Sequence, residues 1–171
     1  PAPPRIVSAP MHVVQLLPEL NEGGVERGTA EISRELCRRG HQSTVISAGG
    51  RLVSQIESEG GRHVTLPIAG KNPLTAPARV WALRRVFREF KPDVLVMTDI
   101  KDWFLVTLLR LRGIRIIPTM HGALWPVGFP PRGFATRLIE KFNAMFWRHA
   151  VDATLCVSPE CERQVRQISG K

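Results

Sequence analysis

The sequence has little cysteine, no tyrosine and no long apolar run. Its three cysteines form no CxxC motif and leave one thiol unpaired in any disulfide scheme, which favours buried, reduced thiols over a metal or redox centre. The longest uncharged stretch, residues 116–131, contains four prolines and two glycines, and this excludes a membrane-spanning helix there. The first ten residues contain no apolar core of signal-peptide length, so we expect a cytoplasmic chain.

Acidic residues are also scarce. The chain carries 24 Lys and Arg residues against 15 Asp and Glu residues, a formal charge of +9, which favours an anionic partner. Proteins that bind nucleic acids usually combine basic groups with exposed aromatic side chains, whereas most Trp and Phe residues here fall within apolar patterns. We therefore expect an anionic membrane surface or a phosphorylated ligand as the partner, and no nucleic acid.

The length and composition are sufficient for one folded domain. With 43% hydrophobic residues, 171 residues can bury a substantial core. We expect this domain to span residues 12–171. Residues 1–11 form an N-terminal extension that is either native or left from cloning, with Met11 as an alternative start.

Short β-branched runs alternate with helical patterns along the chain. Six runs are predicted as strands: HVVQLL from His12, STVIS from Ser43, HVTLPI from His63, DVLVMT from Asp93, IRIIPT from Ile114 and ATLCVS from Ala153. This alternation predicts an α/β fold with a doubly wound, mainly parallel, Rossmann-like sheet of about six strands and helices on both faces.

Five helices are predicted between and after these strands, over residues 25–39, about 80–90, about 102–112, about 134–149, and from Ser158 onward. In the first, Val25, Ile32 and Leu36 share one face, and Gly40 ends the helix. The third ends at Gly113. The last begins with Ser158 as its N-cap and a proline at the first helical position.

The helix expected over residues 134–149 has both apolar and basic side chains. Its apolar positions are Phe134, Leu138, Phe142, Met145 and Phe146. One interpretation is a helix that lies on an anionic membrane. The other is a helix that packs on the core and exposes a basic outer face.

A pair of glycines follows the first strand, at the edge of the sheet where doubly wound folds bind ligands. Gly23 and Gly24 lead directly into a helix, so backbone amides there can approach an anion such as a diphosphate. The alternative is a tight turn that needs glycine for its dihedral angles. The spacing to Gly28 does not match GxGxxG, which argues against a nicotinamide dinucleotide site.

Three other strand ends carry polar residues. His121 follows the fifth strand, where an imidazole can donate a hydrogen bond or tune charge at a reacting centre, unless it is an ordinary surface or core histidine. Asp99 and Lys101 follow the fourth strand, and Asp99 is either a functional acid or a helix cap. Lys71 and Asn72 belong to a loop after the third strand that offers positive charge and amides, or is only a solvated loop.

Several segments, in this order and spacing, resemble the N-terminal half of the family-four glycosyltransferases, a retaining group with the GT-B fold. They are GGVER, LCRRGH, KPDVLV, PTMHG and VDATLCVSPE, and the resemblance runs from about His12 to the C-terminus. The segment LLPELNEGGVERGT is most similar to bacterial members that build cell-envelope glycans such as lipopolysaccharide core.

The resemblance implies an acceptor-binding domain that is inactive without a C-terminal, donor-binding domain, which is absent here. It implies sugar transfer from a nucleotide-sugar substrate to an anionic or lipid-linked glycan at the inner face of the cytoplasmic membrane, with no metal or other cofactor. By position, Gly23 and Gly24 would approach the donor diphosphate and sugar, and His121 would lie beside the reacting sugar. The residues placed toward the acceptor are Glu26, Arg27, Lys71, Asn72, Asp99 and Lys101.

Two other functions remain open from the sequence. One is a standalone module that binds anions or lipids, and the other is one subunit of a two-chain glycosyltransferase. A dinucleotide-dependent oxidoreductase fits least, because the glycine spacing is wrong and no acidic residue ends the second strand.

Overall fold

Short runs of β-branched and apolar residues form six strands at the centre of the molecule. The computed structural model describes residues 9–68, 75–98, 113–121, 141 and 144–169. Its strands are β1 (His12–Leu16), β2 (Gln42–Ser47), β3 (Arg62–Thr65), β4 (Val94–Met97), β5 (Arg115–Met120) and β6 (Leu155–Cys156). Each strand overlaps one of the predicted runs, so all six strand predictions are confirmed.

The strands form one parallel sheet in the order β3-β2-β1-β4-β5-β6. From β1 the chain winds outward to β3, then crosses back to place β4 on the other side of β1. In doubly wound folds such a reversal marks a ligand-binding crevice beyond the carboxyl ends of the two strands, which here are β1 and β4. The predicted doubly wound, Rossmann-like fold is confirmed.

Within the described ranges, five helical segments cover the sheet. They are α1 (Gly24–Arg38), α2 (Val53–Ser58), α3 (Ala76–Phe90), α4 (residues 144–149) and α5 (Pro159–Ser169). At six residues, α2 is too short to show a helical period, so it is not among the predicted helices. The helix predicted over residues 102–112 lies outside the described residues, as do residues 134–140 of the fourth helix.

Gly40 follows the end of α1 and Ser158 precedes α5, as predicted, whereas the helix predicted to end at Gly113 lies outside the described residues. Gly40 and Gly113 have φ of 81° and 80°, left-handed values that glycine adopts without steric cost and that suit the position after a helix. Ser158 is the N-cap of α5, because its Oγ accepts a hydrogen bond from the N–H of Cys161 at 3.2 Å.

The sheet has a separate core on each face. The α3 face packs Val14, Leu16, Ile46, Leu95, Met97, Ile116 and Met120 against Val80, Leu83 and Phe87 of α3, Phe146 and Trp147 of α4, and Cys161 and Val165 of α5. The α1 face is smaller and packs Leu17, Leu20, Ala30, Val45 and Ile56, with a further cluster of Val13, Val94 and Val96.

Two helix faces differ from the prediction. Ile32, expected on the buried face of α1, is 39% exposed, and the residues of α1 that are buried are Thr29, Ala30 and Ser33. These small side chains bring α1 close to the sheet, so the larger apolar residues lie beside the contact. Met145 of α4, also expected on an apolar face, is half exposed, while Phe146 is buried.

The three cysteines are free thiols, and Cys161 is the buried one. Partial burial raises the pKa of the Cys156 thiol, which favours its protonated, unreactive form. Within the described ranges, no helix has the length and apolar character needed to cross a membrane.

Candidate functional site

The glycine pair lies at the start of α1, directly beyond the carboxyl end of β1. Gly23 is the N-cap, with φ −86° and ψ 169°, and Gly24 is the first helical residue. Neither glycine has a positive φ, so any L-residue adopts either backbone conformation. The alternative of a turn that needs glycine for its dihedral angles is therefore wrong for this pair.

The space around the two glycines differs. A Cβ on Gly23 would collide with the carboxylate of Glu26, which folds back over the N-cap. A Cβ on Gly24 would have no neighbour within 4 Å. Neither packing nor backbone strain therefore requires glycine at position 24, and a side chain there would project into the open space over the first turn of α1.

The first turn of α1 presents backbone donors to this space. The N–H groups of the first helical residues have no acceptor within the helix, and Gly23 provides no side-chain cap. The first intrahelical bond is made by Arg27, whose N–H donates to the Gly23 carbonyl at 3.0 Å. The Glu26 carboxylate lies close to the positive end of the helix dipole, so an incoming anion would share this region with Glu26.

The loop after β1 is held in place by the loop after β2. Ala48 donates its N–H to the Pro18 carbonyl at 2.9 Å, and Leu20 donates to the Gly49 carbonyl at 2.8 Å. Gly50 has φ 148°, and a Cβ there would collide with the Leu20 carbonyl, so this glycine is needed for the close approach.

An ion pair joins the tips of the same two loops. The Arg51 guanidinium lies 2.8 Å from the Glu22 carboxylate, with both side chains largely exposed. Neither this ion pair nor the role of the second loop is predicted from the sequence. The glycine pair at residues 49–50, shortly after the second predicted strand, is the feature that could have indicated a close contact of this loop.

His121 is the first residue after β5, and its imidazole is exposed. Its Nε2 lies 3.0 Å from Thr119 Oγ1, and the Thr119 hydroxyl in turn donates to the Met97 carbonyl at 3.2 Å. Because the threonine proton is directed to Met97, the oxygen accepts from His121 Nε2–H. This arrangement leaves Nδ1 as the acceptor nitrogen of the neutral ring.

The fold brings the glycine pair and His121 to one edge of the sheet. They follow β1 and β5, and β4 lies between these strands. Beside them, Glu26 covers the N-cap and Arg27 is exposed on the first turn of α1. The other four predicted site residues lie outside the described residues and stay predictions: Lys71, Asn72, Asp99 and Lys101.

A cavity of about 550 Å³ lies at the opposite edge, beside the amino ends of β1, β2 and β3. Both ring nitrogens of His12 in its wall make structural contacts: Nδ1 donates to the Phe90 carbonyl at 2.9 Å and Nε2 lies 2.8 Å from Thr44 Oγ1. The Arg62 guanidinium stacks 4.5 Å above the Phe90 ring. Within the part of the chain that the structure describes, no three His, Cys, Asp or Glu side chains are grouped so that they could hold a metal ion.

The family model described as the glycosyl transferase 4-like domain matches residues 23–171. The chain belongs to this family. The matched region begins at the glycine pair and includes His121, so both features of the carboxyl edge lie within the glycosyl transferase 4-like domain. No curated protein sequence matches the chain.

Solved structures show the same fold in glycosyltransferases. A glycosyltransferase from Rickettsia africae ESF-5 matches 94% of the chain, at 21% sequence identity and a TM-score of 0.72. Anabaena HepE in complex with UDP and glucose also matches 94% of the chain, at 14% sequence identity and a TM-score of 0.66. WaaG, a glycosyltransferase involved in lipopolysaccharide biosynthesis, matches 91% at 13% identity and 0.55. The match covers only 40%, 42% and 41% of those three chains, respectively.

Proposed function

We propose that this glycosyl transferase 4-like domain is the acceptor-binding, N-terminal domain of a retaining, family-four glycosyltransferase. The enzyme transfers a sugar from a nucleotide-sugar to a bacterial cell-envelope glycan or glycolipid, such as lipopolysaccharide core. The observation that carries the proposal is Gly24, which starts a helix at the crevice where neither packing nor backbone conformation requires glycine. The solved complex of HepE with UDP and glucose and the lipopolysaccharide role of WaaG support it at the level of a shared fold.

The described residues suit the demands of sugar transfer. The bond between the donor sugar and its diphosphate breaks with negative charge developing on the leaving diphosphate. Amides at the N-terminus of α1 stabilise that charge, and the absence of a side chain at Gly24 lets the phosphate oxygens approach them. His121, held through Nε2 by Thr119, accepts a hydrogen bond at Nδ1 from a hydroxyl of the reacting sugar. The proposal therefore needs no divalent metal.

The remaining parts of the proposal concern the partners of this domain. A second domain supplies the nucleotide-binding half of the cleft, so the isolated chain is inactive. The +9 charge favours an anionic acceptor and a peripheral location at the inner face of the cytoplasmic membrane. Glu26, Arg27 and the loops that carry Lys71 and Asp99 are placed toward the acceptor.

The sharpest test compares two glycines in the same helix. Gly24 and Gly28 both belong to α1, and a Cβ at either position would meet nothing within 4 Å. In the full-length protein that contains this domain, we expect Gly24→Ala to lower kcat/KM at least about tenfold, because the new methyl group occupies the approach to the amides. Gly28→Ala is the matched control and should leave transfer unchanged.

The measurement is incorporation of radiolabelled sugar from a panel of nucleotide-sugars into the glycolipid fraction of bacterial membranes. Equal effects of Gly24→Ala and Gly28→Ala would contradict the role of Gly24. If no donor supports transfer by the full-length protein, the standalone binding module is favoured. Activity of this chain only when it is mixed with a separate donor-binding chain would favour a two-chain enzyme.

His121 provides a second test in the same assay. We expect His121→Ala to lower turnover about a hundredfold, because a positioned hydrogen-bonding group at the reacting centre is lost. Thr119→Val should have a smaller effect, since it removes only the group that orients the imidazole. Unchanged turnover in His121→Ala would remove this residue from the mechanism.

A further inference from the structure

The outer face of α3 carries an exposed basic and aromatic stripe. Trp81 is 66% exposed, and Arg84, Arg85 and Arg88 are exposed beside it. The three arginines follow Trp81 by three, four and seven residues, and this spacing places all four side chains on one side of the helix. We call these four residues the α3 stripe.

The α3 stripe lies opposite the face that stabilises the domain. Val80, Leu83 and Phe87 are the residues that pack α3 against the sheet, and Trp81 points away from them. Among the described residues, Trp81 is the one tryptophan or phenylalanine that is exposed. Its side chain therefore offers a large apolar surface to a partner outside the domain.

The charge of the stripe has a single sign. Glu89 is the only acidic residue of α3, and its carboxylate lies 3.8 Å from the Arg62 guanidinium of β3, at the border of the stripe. The stripe itself contains three guanidinium groups and no carboxylate. This surface is complementary to a partner that has closely spaced anions and an apolar layer beneath them.

We propose that the α3 stripe docks the domain on an anionic lipid bilayer. Tryptophan is favoured at the level of the lipid headgroups, where its ring is half in water and half in hydrocarbon. Arginine binds phosphate with paired N–H donors and adds electrostatic attraction to anionic lipids. A single-stranded nucleic acid is less suitable, because such partners are bound by several stacked aromatic rings and the stripe has one.

The position of the stripe connects the bilayer to the crevice. α3 begins after β3, at the carboxyl edge of the sheet, and runs back toward the amino edge. Trp81 lies in its second turn, so the stripe extends about 10 Å from near the crevice edge toward the opposite edge. A bilayer against this helix would leave the crevice open beside the membrane surface, within reach of a lipid-linked acceptor. This last step rests on the proposed function, whereas the docking itself does not.

The test uses the 171-residue chain and two sets of vesicles, phosphatidylcholine alone and an equimolar mixture with phosphatidylglycerol. We expect binding to the anionic vesicles that decreases with salt. The triple variant Arg84→Gln, Arg85→Gln, Arg88→Gln should lower the partition coefficient about a hundredfold, since each basic residue at the surface contributes roughly fivefold. Trp81→Ala should weaken binding without changing its salt dependence.

The matched control removes the same charge from the other side of the sheet. Arg34 and Arg38 of α1 and its C-cap residue Arg39 are exposed, and their triple Gln variant should change the partition only a few fold. Circular dichroism and thermal unfolding verify that both triple variants fold. Equal losses of vesicle binding in the two triple variants would overturn the proposal, because the net charge of the domain would then explain binding and the position of the arginines would not matter.

Fluorescence provides a readout that is specific to the stripe. Brominated lipids should quench wild-type tryptophan emission in anionic vesicles, and Trp81→Phe should remove most of that quenching. Quenching that persists in Trp81→Phe would overturn the proposal and assign the contact to a segment that carries one of the other three tryptophans, Trp103, Trp125 and Trp147. Tighter binding of the stripe to poly(U) RNA than to vesicles would also overturn the proposal.

The two proposals fail independently. If the full-length enzyme transfers sugar to a water-soluble acceptor but no vesicle binding is lost in the stripe variants, the docking proposal alone is wrong. If vesicle binding depends on the stripe but no transfer is detected, the docking proposal stands and the proposed enzymatic function fails.

Discussion

On the α1 side of the sheet, buried polar side chains lie among the apolar ones, whereas on the α3 side the buried strand residues are apolar apart from Thr44. The buried polar residues of the α1 side are Gln15, Thr29, Ser33, Ser43, Ser47 and Thr119. The α3 side instead buries large side chains, including Phe87, Phe146 and Trp147. The two sides therefore hold their helices by different forces.

Directional bonds position α1. Gln15 Nε2 donates to the Thr29 carbonyl at 3.1 Å, and the Ser43 hydroxyl donates to Ser33 Oγ at 2.8 Å. Hydrogen bonds depend on angle and distance, whereas apolar burial depends mainly on area. The candidate site lies on the polar side, since α1 carries the glycine pair and Thr119 holds His121. The comparison indicates that the apolar side supplies stability and the polar side supplies position.

Breaking the apolar side should have the largest effect on stability. Leu95 is fully buried in β4 between α3 and its neighbouring strands. We expect Leu95→Ala to lower the free energy of unfolding by about 3 kcal/mol, because it removes buried methyl groups and leaves a cavity. Urea denaturation followed by circular dichroism measures this change. A loss below about 1 kcal/mol would mean that this core is loosely packed and that the comparison is wrong.

The serine pair between α1 and β2 tests whether directional bonds hold the helix on the polar side of the sheet. Ser33→Ala should cost about 1–2 kcal/mol of unfolding free energy, because it leaves the buried Ser43 hydroxyl without its acceptor. The double variant Ser33→Ala, Ser43→Ala should be close to wild type, since both polar groups are removed together. A double-mutant cycle by chemical denaturation measures the coupling. Additive losses would show that the bond does not link helix and strand.

The smallest effect concerns His63, which belongs to the polar side through its contact with Ser47 at 2.9 Å. Burial lowers the pKa of His63 from its usual 6.5, so the folded state resists protonation. As the pH falls below 6.5, His63 binds a proton in the unfolded chain before it does so in the folded protein. The free energy of unfolding therefore decreases in this pH range.

We expect this pH-dependent loss to be below about 0.5 kcal/mol, because the side chain is only partly buried and solvent screens its charge. The measurement is the free energy of unfolding of wild type and His63→Gln between about pH 7 and pH 5. Wild type should lose slightly more stability than the variant. Parallel curves would indicate that His63 titrates alike in the folded and unfolded states.

Several features could be predicted from local patterns because local chemistry decides them. The strands follow from apolar runs between turn residues. The end of α1 follows from Gly40 and the start of α5 from Ser158, each of which satisfies a need of its own turn. The parallel sheet follows from the alternation of strands and helices. The position of His121 and the glycine pair at one edge of the sheet could be predicted because His121 directly follows the fifth strand and the glycines lead from the loop after the first strand into a helix.

Other features depend on residues that are distant in the chain. Ile32 belongs to an apolar stripe, yet the close approach of α1 to the sheet selects Thr29, Ala30 and Ser33 for burial. The exposure of Trp81 could not be predicted from the sequence, because Trp81 stands in an apolar pattern with Val80 and Leu83, both of which are buried. The contact of Gly50 with the Leu20 carbonyl joins two loops that only the parallel pairing of β1 and β2 brings together.

Spacing along single segments is enough to predict the order of the six strands, the helix boundaries at Gly40 and Ser158, and the edge of the sheet that carries the glycine pair and His121. Contacts between segments decide which face of each helix is buried, the open space around Gly24 and the orientation of His121 by Thr119. These properties depend on distances between segments, which local propensity does not encode.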